Sequence, residues 1–253
     1  MRTAILLAQA IVDERHLGLD YRTFSRKATG NSKTLERLEA AVLRLVGAVI
    51  DLPPAAGPRA ALATLGLERF GPPLLLSGAI AFGTSPIPGS LRYVGVTPNE
   101  ITHIKFTRTP NYVLTIENFA SFNRHVIEAD PGRIGLTLYV GGYPSLATQR
   151  ALAFVASALP STVPFFRWSD IDSDGTWLFR TIERATGRSL VPHLMSPDLA
   201  EEYGGRPSRS PQLRQGEASG SMISELVDYL ASADAKVMEQ EEIDPVIPIR
   251  CLF

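Results

Sequence analysis

Apolar residues recur along this chain with two different periods, and the change between them falls near residue 111. Before that point the period is helical. Residues 3–16 read as one helix. After a loop at Gly18 to Asp20, the spacing of Leu35, Leu38, Val42, Leu45, Val46 and Val49 predicts a helix running to about Ile50, with Ser32 as its N-cap. Pro53-Pro54 and Pro58 break that pattern. Short apolar runs punctuated by Gly and Pro, among them Pro72-Pro73 and Pro86-Ile87-Pro88-Gly89, then carry the chain to Asn111 and predict a small mixed region.

From Asn111 onward strands and helices alternate. Tyr112 to Ile116 reads as a strand, Phe119 to about Glu128 as a helix and Ile134 to Val140 as a second strand. A helix follows Gly141-Gly142 and Pro144 and runs to about Leu159. Val163 to Trp168 is a third strand with a helix at Thr176 to Ala185 and Gly187 beyond its end, and Leu190 to Met195 is a fourth. Such alternation predicts an α/β fold with a parallel sheet covered by helices on both faces. Residues 204–220 are poor in large apolar side chains and read as mobile. Met222 to Leu230 reads as helix, and Ala235 to Ile243 as another whose Glu239, Glu241 and Glu242 form a solvated face.

Composition narrows the class. The chain of 253 residues is 45% hydrophobic and 20% charged, as ordinary globular proteins are. No apolar run reaches membrane-spanning length, and Ala4 to Val12 contains Gln9 and runs into Asp13-Glu14-Arg15 without a cleavage signal, so it reads as a buried helix. The single cysteine, Cys251, points to a reducing, cytoplasmic setting. The net charge of -1 conceals an asymmetry. Residues 1–110 hold 13 Lys+Arg against 8 Asp+Glu, and residues 111–253 hold 12 against 18. A basic part suited to a polyanion thus precedes an acidic part suited to a cation. Arg26, Lys27 and Lys33 cluster around the predicted helix start and are candidate phosphate contacts, with an ordinary solvated loop as the alternative.

The chemistry concentrates in residues 164–175, Pro-Phe-Phe-Arg-Trp-Ser-Asp-Ile-Asp-Ser-Asp-Gly. Alternation along an extended chain would put Asp170, Asp172 and Asp174 on one side, where three carboxylates repel unless solvated or bridged by a divalent cation. An EF-hand starting at Asp170 fits through Gly175 but has Thr181 where a bidentate Glu belongs, and a strand rather than a helix enters it. An aspartyl-phosphate phosphatase would carry Thr or Val in place of Asp174. A solvated turn closed by Gly175 is the bland alternative. Glu117, Gly141-Gly142 and Asp170 to Asp174 each follow a strand directly, and ligands of parallel sheets bind beyond those strand ends.

The Glu117-Asn118 pair, the Asp170-x-Asp172 segment and the strand order resemble a Toprim domain. Gly30-Asn31-Ser32-Lys33-Thr34, Tyr112 to Phe122, Gly141 to Pro144 and Arg167 to Gly175 resemble the nuclease subunit of the Wadjet plasmid-defence system, itself similar to the A subunit of topoisomerase VI. The resemblance implies a Toprim catalytic domain at 111–253 with a C-terminal helical extension, preceded at 1–110 by a winged-helix-like α+β DNA-binding region. It implies Mg2+, replaceable by Mn2+, at Asp170 and Asp172 with Asp174 as a further ligand, and Glu117 as a metal ligand or proton-transfer group. Double-stranded DNA, a condensin-like SMC/kleisin complex and a second copy of the chain are the implied partners. The family pattern has an acidic residue directly after the Met of strand four; here Ser196-Pro197 follow Met195, and Asp198 is displaced. The implied activity is endonucleolytic cleavage by metal-activated water. Its alternatives are a DNA-binding subunit without catalysis and a transesterase using a tyrosine, for which Tyr21 and Tyr93 are the two that precede residue 111.

Overall fold

The computed structural model describes residues 2–69, 71–207, 213 and 215–248. Two compact units form, one of Met1–Pro72 with Tyr143–Ala147, the other of Pro73–Gly142 with Thr148–Phe253.

The described part of the first unit contains four helices: α1 (Arg2–Val12), α2 (Tyr21–Thr29), α3 (Thr34–Val46) and α4 (Pro58–Thr64). Their apolar faces meet in a core that includes Leu7, Ile11, Tyr21, Phe24, Leu35, Val42, Val46 and Leu62. Helix α2 has too few apolar positions for its period to be read from sequence, and it is its ends that define it. Asp20 caps it by accepting from the N–H groups of Arg22 and Thr23 at 3.0 Å, and Gly30, at φ 77°, closes it in the left-handed conformation. Ser32 does not cap α3. The residue preceding that helix is Lys33, and the buried Ser25 hydroxyl of α2 accepts from Leu35 N at 3.1 Å while donating to Asn31 O at 2.7 Å.

The second unit holds a six-stranded sheet. Its strands are β1 (Leu74–Ser77), β4 (Val94–Val96), β6 (Val113–Ile116), β7 (Leu136–Tyr139), β8 (Phe165–Trp168) and β9 (Leu190–Pro192), in the order β4-β1-β7-β6-β8-β9. Strands β7, β6, β8 and β9 are mutually parallel, while β1 runs antiparallel to both its neighbours. A smaller antiparallel sheet joins β2 (Ile80–Phe82), β3 (Ser85–Pro86) and β5 (Ile104–Phe106). The further α-helices among the described residues are α5 (Phe119–Arg124), α6 (Leu146–Ala158), α7 (Ser173–Thr186), α8 (Pro197–Tyr203) and α9 (Ser224–Leu230), with a 3-10 helix at Pro98–His103 and a π-helical turn at His125–Ala129. The α/β class with a mostly parallel sheet and flanking helices therefore stands. Every residue of β6 and β8 is buried, which is why those strands read as mainly apolar runs, broken by Thr115 and Arg167, rather than as alternations.

Three boundaries differ from the sequence reading. The compact units divide at Pro72–Pro73 rather than at residue 110, because β1 and β4 hydrogen-bond into the large sheet. The fourth parallel strand stops at Pro192, and Leu194, at φ 55°, turns the chain out of the sheet. The stretch Ala235 to Ile243 is not a helix. Val237 and Met238 are extended and bridged to Gly205 and Ile171, and one 3-10 turn, Gln240–Glu242, follows. That same bridge orders Gly205 within the stretch read as mobile, where Ala218 is also buried; residues 208–212 and 214 lie outside the described residues.

Candidate metal centre

Strand β6 sends its chain toward β7 on one side, and β8 sends its chain toward β9 on the other. The crevice beyond the ends of β6 and β8 is therefore the topological switch point of the parallel strands, where open α/β sheets place ligands. Glu117 is the residue after β6 and Asp170 lies two past β8. The ladder extends one rung beyond the strands, Glu117 N donating to Trp168 O at 3.1 Å, so Glu117 and Asp170 stand side by side at the crevice.

Asp172 is the N-cap of α7, its carboxylate accepting from Gly175 N at 2.7 Å. That bond ends the extended alternation assumed for the three aspartates. Asp174 is already in the first turn of α7, where its charge complements the helix dipole, and it is half-buried. Gly175 is obligatory for another reason than a turn: a Cβ there would lie 2.0 Å from the carbonyl oxygen of Asp170.

The carboxyl groups are held out of water. Burial raises Glu117 above its usual range, with the charge of Arg167 opposing it; burial also raises Asp172, with the Gly175 N–H opposing. Burial, followed by the nearby charge of Glu117, pushes Asp170 up to about 7. The floor of the group is Arg167, wholly inaccessible on β8, with Nε donating to Ser169 Oγ at 2.6 Å and Nη2 3.6 Å from Glu117 Oε2. Burial lowers Arg167 to about 10, and the carboxylates of Glu117 and Asp170 oppose that loss. Mutual repulsion of desolvated hard oxygen donors is what a divalent cation relieves, although among the described residues Glu117 and Asp172 do not join Asp170 in a grouping of carboxylate oxygens within 4.8 Å of one another.

Sequence reasoning missed two contributors. Arg167 was legible as one charge in an otherwise apolar strand. The other is the C-terminal segment. Gln240 N donates to Asp170 Oδ1 at 2.8 Å, and the Gln240 amide accepts from Asn118 N at 2.9 Å and donates to Trp168 O at 3.4 Å. Asn118 Nδ2 donates to Glu241. As a result Asp170, Glu239 and Glu241 each place a carboxylate oxygen within 4.8 Å of the others, a grouping that could also hold a cation. Glu239 and Glu241 thus flank the site instead of lining a helix.

The remaining candidates occupy other elements. Asp198 is exposed in the first turn of α8, whose cap is Ser196. Arg26 and Lys27 occupy the last turn of α2, not a loop before α3, and with Lys33 they are exposed. Tyr21 is 2% exposed, donates to Glu39 and lies under the Arg69 guanidinium at 4.6 Å; burial raises its phenol far above the usual value. Tyr93 packs against Phe119 and Phe122.

No helix among the described residues is long and apolar enough to cross a membrane. No curated protein matches the chain. The family model described as "Wadjet protein JetD, C-terminal" matches residues 85–248, a span that contains the whole carboxylate group and the segment laid across it.

Proposed function

The chain belongs to the Wadjet JetD C-terminal family and is thus a component of the Wadjet defence system, and from this we propose that it is the DNA-cutting subunit, a Mg2+-dependent endonuclease with a Toprim-type centre. One observation carries the reading: three desolvated carboxyl groups, Glu117, Asp170 and Asp172, are gathered at the switch point of a parallel sheet over a buried arginine. Asp170 and Asp172 would hold the cation, with Asp174, Glu239 and Glu241 within the surrounding acidic shell. Bound Mg2+ would neutralise charge developing on the scissile phosphate and lower the pKa of an attacking water. Glu117, whose carboxyl is raised by burial, is suited to take and release a proton. Arg167 keeps this acidic group from being wholly unbalanced. The products of hydrolysis are free DNA ends.

Arg26, Lys27 and Lys33 would grip the phosphate backbone of double-stranded DNA, and a second copy would cut the opposite strand. A condensin-like complex would choose the DNA. The transesterase reading is disfavoured by Tyr21, whose phenol is buried against Glu39. The test is cleavage of supercoiled plasmid with Mn2+, with and without the companion subunits of the same defence system. Nicking or linearisation that disappears in Asp170→Asn supports the proposal. Plasmid left intact in the full assembly, or cut equally by Asp170→Asn, contradicts it.

A further inference from the structure

Beyond Trp168 and Glu117 the two central strands lose their shared ladder, yet the loops that follow must keep Glu117 and Asp170 at a fixed separation. Where the next rung is missing, an amide from a distant part of the chain takes its place. Gln240 is fully buried, and its side chain spans the gap, accepting from Asn118 N on one side and donating to Trp168 O on the other. Its own backbone N–H is thereby aimed at Asp170 Oδ1, 2.8 Å away. The segment is pinned on both flanks. Ile171 and Met238 exchange hydrogen bonds of 2.8 and 3.1 Å, and Arg124 on α5 reaches Asp244 at 2.6 Å.

We infer that Gln240 is a positioning residue of the metal centre: it ties the Glu117 loop to the Asp170 loop and fixes the Asp170 carboxylate, so that cation affinity depends on a residue that need not touch the cation. The inference rests on Asp170 being a cation ligand. One oxygen of Asp170 is committed to the Gln240 N–H, which sets the carboxylate plane and leaves the other oxygen outside that bond. Partners of this kind orient ligands and tune them. A glutamine suits the task because one planar amide supplies both an acceptor and a donor, so it can bridge an N–H and a C=O at once. Without the Gln240 amide the Asn118 N–H would need another acceptor, and the Trp168 carbonyl, which also accepts from Glu117 N, would lose its second donor.

The experiment is calorimetric titration of Mn2+ into the full chain, comparing wild type, Gln240→Met, Gln240→Asn and Asp170→Asn, with urea unfolding of each. Gln240→Met keeps the backbone N–H that meets Asp170 but loses the side-chain tie that aims it; because disturbing the partner behind a ligand weakens metal binding by about 10- to 100-fold, this variant is expected to bind Mn2+ about tenfold more weakly. Gln240→Asn, which keeps both groups on a shorter stem, should fall between it and wild type. In cleavage assays the Mn2+ concentration for half-maximal rate should rise while KM for DNA stays unchanged. A merely structural glutamine would lower the unfolding midpoint and leave Mn2+ affinity as in wild type, and that result overturns the inference. If Gln240→Met fails to fold, Gln240→Asn is judged by the same criterion. Wild type binding Mn2+ no better than Asp170→Asn is a different failure, since it removes the metal reading itself and this inference with it.

Discussion

Arg167 and Glu117 face each other across 3.6 Å, the guanidinium wholly buried and the carboxylate 18% exposed. Neither terminal nitrogen of Arg167 has a hydrogen-bond partner, and neither does Glu117 Oε2. The pair is thus held by charge more than by direction, and Arg167 acts as a built-in counter-charge beneath the carboxyl groups.

Replacing Arg167 with Met should leave Glu117 uncompensated. Removing one partner of a buried pair costs about 3 kcal/mol or more, and the cost here should be largest when Glu117 is ionised. Urea unfolding is expected to give the larger loss at high pH, where Glu117 is ionised, and a smaller one at low pH, where it is protonated. An equal loss at both would mean that Arg167 contributes packing alone.

Asp170 makes the fold sensitive to pH. Its carboxyl is raised by burial, and next by Glu117, from 3.8 to about 7. Between those values the folded protein keeps a proton that the unfolded chain has released. The group's stabilising contribution is therefore complete below about pH 4 and is lost as pH rises to 7, by at most ~1.4 kcal/mol per pH unit. Relative to Asp170→Asn, which cannot titrate, wild type should lose stability across this window. Mn2+ binding must displace the same proton, so affinity should climb with pH up to about 7. A pH-independent stability difference between the two proteins would contradict this.

The two substitutions at Asp172 should separate its roles. Asp172→Ala removes the cap of α7 as well as the carboxylate and should cost about 1 kcal/mol in stability, whereas Asp172→Asn keeps a side-chain oxygen for Gly175 N. Both are expected to abolish cleavage and to shrink the Mn2+-induced rise in melting temperature. Cleavage at the wild-type rate by Asp172→Asn would remove this residue from the centre.

Neutralising Arg26, Lys27 and Lys33 together should weaken binding to all DNA sequences alike. Each lost phosphate contact flattens the slope of log affinity against log salt by about 0.9, so the triple variant should change it by up to about three. An unaltered slope would assign these side chains to the solvated surface.

Detergent quenching of a cleavage reaction should release DNA with no protein attached. The Tyr21 phenol is buried against Glu39, and its ionisation is suppressed, which denies it the role of attacking group. Tyr21→Phe should therefore still cut if it folds. A covalent adduct that vanishes in this variant would make the protein a transesterase.

The central strands were legible because burial on both faces leaves no charged residue from Val113 to Ile116, where Thr115 is the one polar side chain, and the Asp-rich run after Trp168 marked the crevice. The exact use of that run was hidden. Alternation placed Asp172 beside Asp170, but whether a chain stays extended there depends on a cap bond to Gly175 that forms only once α7 does. Gln240 was invisible for a different reason. Its partners, Asn118 and Asp170, lie 122 and 70 residues away, and three neighbouring glutamates gave it the composition of a solvated helix. Helix α2 was missed because Asp20 and Gly30 define it more than any apolar stripe does.

Those separations also set a timetable. A ribosome releases Glu117 first, then Asp170, and only much later the residue that ties their loops together. Contacts so far apart in sequence form late in folding, after their loop-closure entropy has been met. A nascent chain that has delivered the aspartates still lacks the tie between them, so on this reading cutting competence waits for Gln240.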